Sequence, residues 1–274
     1  MSPTWDDGQQ PRFAPPGLAG HLRATARAVP LFVLVFGGLL LLLALRLIEA
    51  PLYGLHRPWT PAITRFVCRT ALRLVGLRLS VTGRPLATRG AMVANHSSWL
   101  DIFALNASAP IYFVSKSEVA GWPGIGWLAR ATGTVFIERT RTRARDHADL
   151  FETRLLAGHR LVFFPEGTST DGAQVLPFKT TLFDAFFRDE LKHDIQVQPV
   201  AVRYLPAPGT DPRAYAWWGG MSFGPHLWAI LALPGAGTVK VAYLEPLKPA
   251  DVDNRKALAA ACQRAVQDAH ARLQ

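Results

Sequence analysis

The alternation of apolar and polar positions divides the chain into stretches of different rhythm. The first twenty residues are rich in Pro, Gly and Gln, with few apolar side chains, so they read as a disordered tail. From Val29 to Leu45 the chain is almost wholly apolar and includes five consecutive leucines, Leu39 to Leu43. About seventeen residues is the lower limit for crossing a bilayer. The stretch starts late, lacks a nearby small-x-small cleavage site and continues past Arg46 into Leu47-Ile48, so a retained anchor is the better reading than a removed signal. From Trp59 to Leu79 the period is helical: Ile63, Phe66, Val67, Ala71, Leu74 and Val75 share one face, and Arg65, Arg69 and Arg73 form a stripe on another. An apolar face beside a cationic stripe suits an interfacial helix.

Beyond this point short alternating or fully apolar runs take over. Strands are expected at 77–83, 90–94, 111–114, 133–139, 161–164, 195–202 and 239–244. A helix should begin at Asp101, another should run from Asp146 to a C-cap at Gly158, and a last one follows Asp251 or Asp253 and carries Leu258, Cys262, Ala265, Val266 and Leu273. The segment around Trp122-Pro123-Gly124 reads as a loop. Strands alternating with helices predict an α/β fold, with a mostly parallel or mixed central sheet flanked by helices. The predicted organisation is a tail (1–20), a membrane-anchoring helix plus amphipathic helix (21–79), a catalytic domain (80–250) and a C-terminal helix (251–274).

Composition adds the class of partner. Apolar residues make up 49% and the formal charge is +10, with a pI near 10.2. That balance suits an anionic partner: nucleic acid, a phosphorylated substrate or an anionic membrane surface. The two cysteines, Cys68 and Cys262, are far apart and suggest neither a disulfide framework nor a zinc site. The chain has no phosphate loop, dinucleotide fingerprint, His-Glu-x-x-His or Gly-x-Ser-x-Gly elbow.

The candidate chemistry sits in Gly90-Ala91-Met92-Val93-Ala94-Asn95-His96-Ser97-Ser98-Trp99-Leu100-Asp101. A buried strand ends at Asn95, and His96 falls in the turn. On one continuous helix, residues five apart lie about 140° apart. His96 and Asp101 can therefore meet only across a turn that leads into a helix. A carboxylate that fixes a histidine tautomer and steadies the imidazolium makes a general base. The spacing alone is common, and a solvated strand-end histidine would produce it too. In a parallel sheet, sites gather at the carboxyl ends of strands, where His96, Arg139 and Glu166 would all lie.

An ordered series of motifs narrows the reading: Asn95-His96-x4-Asp101, Gly133-x-x-Phe136-Ile137-x-Arg139, Phe164-Pro165-Glu166-Gly167-Thr168-Ser169 and Val197-Gln198-Pro199-Val200. Together, over roughly 77–205, they resemble the lysophospholipid and glycerol-phosphate acyltransferases. Lys116, Glu118 and Phe178-Lys179 are similar to further family elements, although Thr180-Thr181 stands where a glycine often follows. Trp217-Trp218-Gly219-Gly220-Met221 and Pro225-His226-Leu227-Trp228 resemble a bacterial subgroup that includes lyso-ornithine lipid acyltransferases.

The resemblance implies transfer of a fatty acyl group from a thioester, acyl carrier protein or coenzyme A, to a lysolipid hydroxyl. It implies no tightly bound cofactor and no metal. His96 would be the general base and Asp101 its orienting partner. Arg139 would hold the acceptor's anionic headgroup, and Asn95, Glu166, Gly167, Thr168 and Lys179 would join in substrate binding. Lysophosphatidate is the favoured acceptor and lyso-ornithine lipid the alternative. Anionic membrane lipid is the expected partner and nucleic acid is not; the expected location is a bacterial inner membrane, catalytic domain on its cytoplasmic face. A serine hydrolase using Ser97 or Ser98 is the rival enzyme class, and a basic nucleic-acid-binding protein the rival outside enzymes.

Overall fold

Among the described residues, seven strands form one sheet: β1 (Leu77–Thr82), β2 (Gly90–Ala94), β3 (Tyr112–Lys116), β4 (Val135–Ile137), β5 (Arg160–Phe163), β6 (Gln196–Leu205) and β7 (Gly237–Tyr243). This computed structural model describes residues 4–138 and 144–274, without the side chains of 144–148. The strand order is β1-β7-β6-β2-β5-β3-β4, and every neighbouring pair is parallel except β6 with β7. The mixed α/β class is therefore the one the pattern predicts. β2 lies at the centre and all five of its residues are buried. It reads as a continuous apolar run because helices cover both faces of the sheet.

One face packs on α1 (Leu18–Tyr53), α2 (Thr60–Val75), α3 (Asp101–Ser108) and α7 (Phe223–Ala232). The other packs on α5 (Ala144–Leu156), α6 (Asp189–Lys192) and α8 (Arg255–Arg272). α5 ends as predicted, with Gly158 at φ +84° just beyond it. Three helices lie where none was expected: α4 (Ile125–Ala131), the single-turn α6 and α7. α4 starts directly after the Pro123-Gly124 turn, so its seven residues are hidden behind a loop signal. α7 is apolar all round, so it shows no helical alternation.

α1 runs 36 residues, well beyond the apolar core at 29–45. Nearly all of its most apolar stretch lies outside the packed interior. Both of its ends are tied to the rest of the molecule. Near its start, Arg23 donates to the Ala232 carbonyl (2.6 Å), and Arg27 to the carbonyls of Leu231 (3.0 Å) and Leu233 (2.9 Å). These arginines cap the C-terminus of α7, whose last carbonyls lack partners within the helix. Near its end, the fully buried Glu49 accepts from Trp59 N (2.8 Å), Thr60 N (3.1 Å) and Thr60 Oγ1 (2.7 Å), and pairs with Arg46 (3.0 Å). A carboxylate from one helix thus caps the N-terminus of the next. α2 packs between α1 and α3 through Cys68, Ala71, Leu72 and Val75. Its arginine stripe is not a free cationic face, since Arg69 Nε donates to the Ala107 carbonyl at 2.7 Å, while Phe66 stays exposed.

Candidate active site

β2 ends by splicing its last side chain into β6. Asn95 Nδ2 donates to the Val202 carbonyl (2.9 Å) and Asn95 Oδ1 accepts from Val202 N (2.8 Å). The side chain is buried and both of its polar atoms are engaged by Val202, so Asn95 fastens the turn to β6.

The turn then brings His96 and Asp101 together, as predicted: Nδ1 to Oδ2 is 2.7 Å. Asp101 is fully buried at the start of α3. Oδ2 also accepts from Ser97 N (3.0 Å) and Ser98 N (3.1 Å), and Oδ1 accepts from Tyr204 Oη (2.7 Å). A carboxylate with four donors stays an acceptor, so Nδ1 carries the hydrogen and Nε2 the lone pair. The ring stacks on Phe164 (centroids 4.0 Å apart, planes at 13°), and 22% of the His96 side chain remains accessible. His96 Nε2 makes no hydrogen bond among the described residues. Ser98 Oγ is committed to the Tyr215 carbonyl (2.5 Å) and Ser97 is buried, so neither serine stands as a nucleophile toward His96.

Glu166 is turned inward. One carboxylate oxygen accepts from His96 N (2.7 Å) and the other from Leu176 N (2.8 Å), and the residue is 2% exposed. Its carboxyl is pushed up to about 8, chiefly by burial and further by Asp101, against the lowering effect of the two backbone donors. Glu166, expected among the substrate-binding residues, holds the backbone of His96 in this structure. Gly167 is at φ +77°, which explains a glycine there. Lys179 N donates to the Pro165 carbonyl (2.9 Å), closing the loop beyond the turn. Arg139 lies outside the described residues, as do Arg141 and Arg143.

The segment expected to be a disordered tail instead crosses this region. Trp5 N donates to Thr168 Oγ1 (3.2 Å) and the Trp5 ring meets Trp218 at 6.1 Å. Asp7 accepts from Trp218 Nε1 (3.2 Å) and pairs with Arg213 (3.2 Å); Arg12 N donates to Asp211 (2.8 Å). The 211–222 segment beneath this strap is in turn fastened to the His96 turn, with Trp217 N donating to the Ser97 carbonyl at 2.8 Å. Sequence reasoning missed Tyr204, Tyr215 and the strap. Tyr204 was within reach, because the alternation Val200, Val202, Tyr204 puts it on the face where Asn95 and Asp101 lie. The strap had no signal, since its low apolar content is that of an unfolded chain.

The family model described as Acyltransferase matches residues 78–203. The chain is 54% identical over 265 residues to a lyso-ornithine lipid O-acyltransferase of Rhodobacter capsulatus, covering 97% of this chain and 96% of that protein. It is 35% identical over 195 residues to a 1-acyl-sn-glycerol-3-phosphate acyltransferase of Neisseria gonorrhoeae, covering 69% of this chain and 72% of the relative. Its fold is similar to the crystal structure of a 1-acyl-sn-glycerophosphate acyltransferase from Thermotoga maritima, with a TM-score of 0.64, 20% identity and coverage of 93% and 95%.

Proposed function

The chain belongs to the acyltransferase family, and from that premise we propose that it esterifies the hydroxyl of a lyso-ornithine lipid with a fatty acyl group. The observation that carries the mechanism is the 2.7 Å contact between His96 Nδ1 and Asp101 Oδ2, which leaves Nε2 as the base. As the acceptor oxygen attacks the thioester carbonyl, its proton passes to Nε2. A C–O bond forms, the C–S bond breaks, and the proton moves on to the leaving thiolate. General-base assistance of this kind contributes about 10²–10⁴ in rate. No acyl-enzyme is formed. The donor is an acyl carrier protein or coenzyme A thioester. Arg139 contributes a guanidinium fork for the acceptor's anionic group, with Gly167, Thr168 and Lys179 at the rim. The apolar α1 holds the enzyme at a bacterial inner membrane, where its lipid acceptor resides.

The 54% likeness over nearly the whole chain supports lyso-ornithine lipid as acceptor. The 35% likeness to the Neisseria protein supports lysophosphatidate as a second acceptor. The test is an acyl-transfer assay on purified protein with both lysolipids. His96→Ala should remove nearly all turnover while the protein stays folded, and Arg139→Ala should chiefly raise the acceptor KM. Near wild-type turnover by folded His96→Ala would sink the mechanism; transfer to lysophosphatidate alone would reverse the acceptor order.

A further inference from the structure

Behind the catalytic turn, on the α8 side of the sheet, lies an open pocket of about 250 Å³ lined by Gln174, Arg203, Gln267, His270 and the chain around Ala173 and Gln274. Arg203 stands opposite Lys240 in the β6–β7 pairing. Like charges facing each other across strands are unfavourable, and Arg203 has no ion-pair partner among the described residues. Lys240 Nζ turns to the Gln274 carbonyl (2.9 Å), and the nearby Asp171 carboxylate accepts from Ala173 N (3.0 Å) in its own loop.

His270 lines the same pocket and is 4% exposed. Arg203 NH1 approaches its Nδ1 at 3.4 Å and donates to its carbonyl at 2.9 Å. A guanidinium only donates, so Nδ1 must accept and the ring hydrogen sits on Nε2. Burial, helped by Arg203, drives the ring pKa down to about 4, which keeps one neutral tautomer. The Gly172 backbone opposes that shift, yet buried Nε2 makes no hydrogen bond. A buried, unmatched donor is unfavourable until an acceptor reaches it. The Gln267 amide nitrogen donates to the Val175 carbonyl (3.2 Å); an Arg203 guanidinium without an ion-pair partner, an unmatched imidazole N–H and the Gln174 amide remain around the pocket as donors for a tetrahedral oxyanion.

We propose that this pocket is a phosphate-binding site. Its occupant is either inorganic phosphate or, resting on the proposed acyl transfer, the phosphate of the phosphopantetheine arm of the donor. The site adjoins the chemistry: Gly172 abuts Ser97, and Leu176, two residues beyond Gln174, donates to the Glu166 carboxylate that holds His96.

The test uses full-length protein in detergent micelles. Inorganic phosphate should bind saturably, read as ³¹P line broadening, and Arg203→Gln should weaken binding roughly tenfold or more, as expected for loss of a charged donor. Gln174→Glu adds a negative charge at the exposed rim without removing a fold contact, and should weaken binding similarly with an unchanged melting temperature. If phosphate also raises the KM for acyl-coenzyme A at constant kcat, and Arg203→Gln removes that effect, the donor's phosphate is the occupant. Binding without any effect on the donor KM identifies inorganic phosphate. Broadening that is absent, or identical in wild type, Arg203→Gln and Gln174→Glu, overturns the proposal whether or not the enzyme turns over.

Discussion

Replacing Asp101 by Asn separates two duties that the carboxylate performs together. An amide has one acceptor oxygen and one donor nitrogen. Oδ2 of Asp101 receives three hydrogens, from His96 Nδ1, Ser97 N and Ser98 N, whereas Oδ1 meets only the Tyr204 hydroxyl. The amide will therefore keep its oxygen on the three-donor side and aim its nitrogen at Tyr204, whose oxygen can accept once its hydrogen rotates away. Geometry and tautomer survive. What is lost is the negative charge facing the imidazolium as it forms. For charges about 4 Å apart at an effective dielectric of 20 the attraction is roughly 4 kcal/mol, and part returns through the neutral hydrogen bond that remains. A net loss of about 3 kcal/mol corresponds to a kcat decrease of roughly 10²-fold. The assay is single-turnover acyl transfer to lyso-ornithine lipid by Asp101→Asn, with ¹⁵N NMR of His96 to identify the protonated nitrogen. A loss beyond 10⁴-fold with the hydrogen moved to Nε2 would show that Tyr204 does not accommodate the amide; a loss under threefold would show that no charge develops on His96.

Three further outcomes follow from the same neighbourhood. Tyr204→Phe should leave turnover within about tenfold of wild type but make Asp101→Asn far more damaging in combination, because the amide nitrogen then has no acceptor; additive effects in the double-mutant cycle would contradict this. Glu166 has a folded pKa near 8 against an ordinary 4.5, so its folded form holds the proton more tightly. The stability it contributes is complete below about pH 4.5 and is lost as pH rises through 8, by an amount on the order of 5 kcal/mol; melting curves from pH 5 to 9 should show a decline that Glu166→Gln lacks. Gly219 is at φ +58°, and a Cβ there would lie 2.6 Å from Asp6 Oδ2. Gly219→Ala should free the strap, seen as faster proteolysis near Trp5 and a higher acceptor KM; unchanged proteolysis would mean the strap does not depend on that close approach.

The sheet was legible because its strands are short apolar runs between glycines and prolines, and the buried β2 followed by Asn95 marked the site directly. The His96–Asp101 contact was legible for a different reason: two side chains five residues apart can meet only where a turn joins a helix. Glu166 was found but its inward direction was not, since a sequence shows that a carboxylate sits in a turn and not which way it points. Its two backbone partners, His96 N and Leu176 N, are chain atoms that every residue carries. The strap failed for the complementary reason. Trp5, Asp7 and Arg12 are held by partners some two hundred positions away, and nothing within their own window announces such contacts.

The fastening of α1 at both ends has a topological consequence. At 36 residues the helix is about 54 Å long, against a hydrocarbon core of about 30 Å. Its first turns grip α7 and its last turns grip α2, both belonging to one globular body. A rod pinned at each end to an object on one side of a bilayer cannot emerge on the other side. Were that body to rest on one side of a bilayer, α1 could sink only into the near leaflet, along the membrane rather than through it. The chain's first residues then remain on the side of the catalytic domain, and a protease added to the opposite side of sealed vesicles should find nothing to cut.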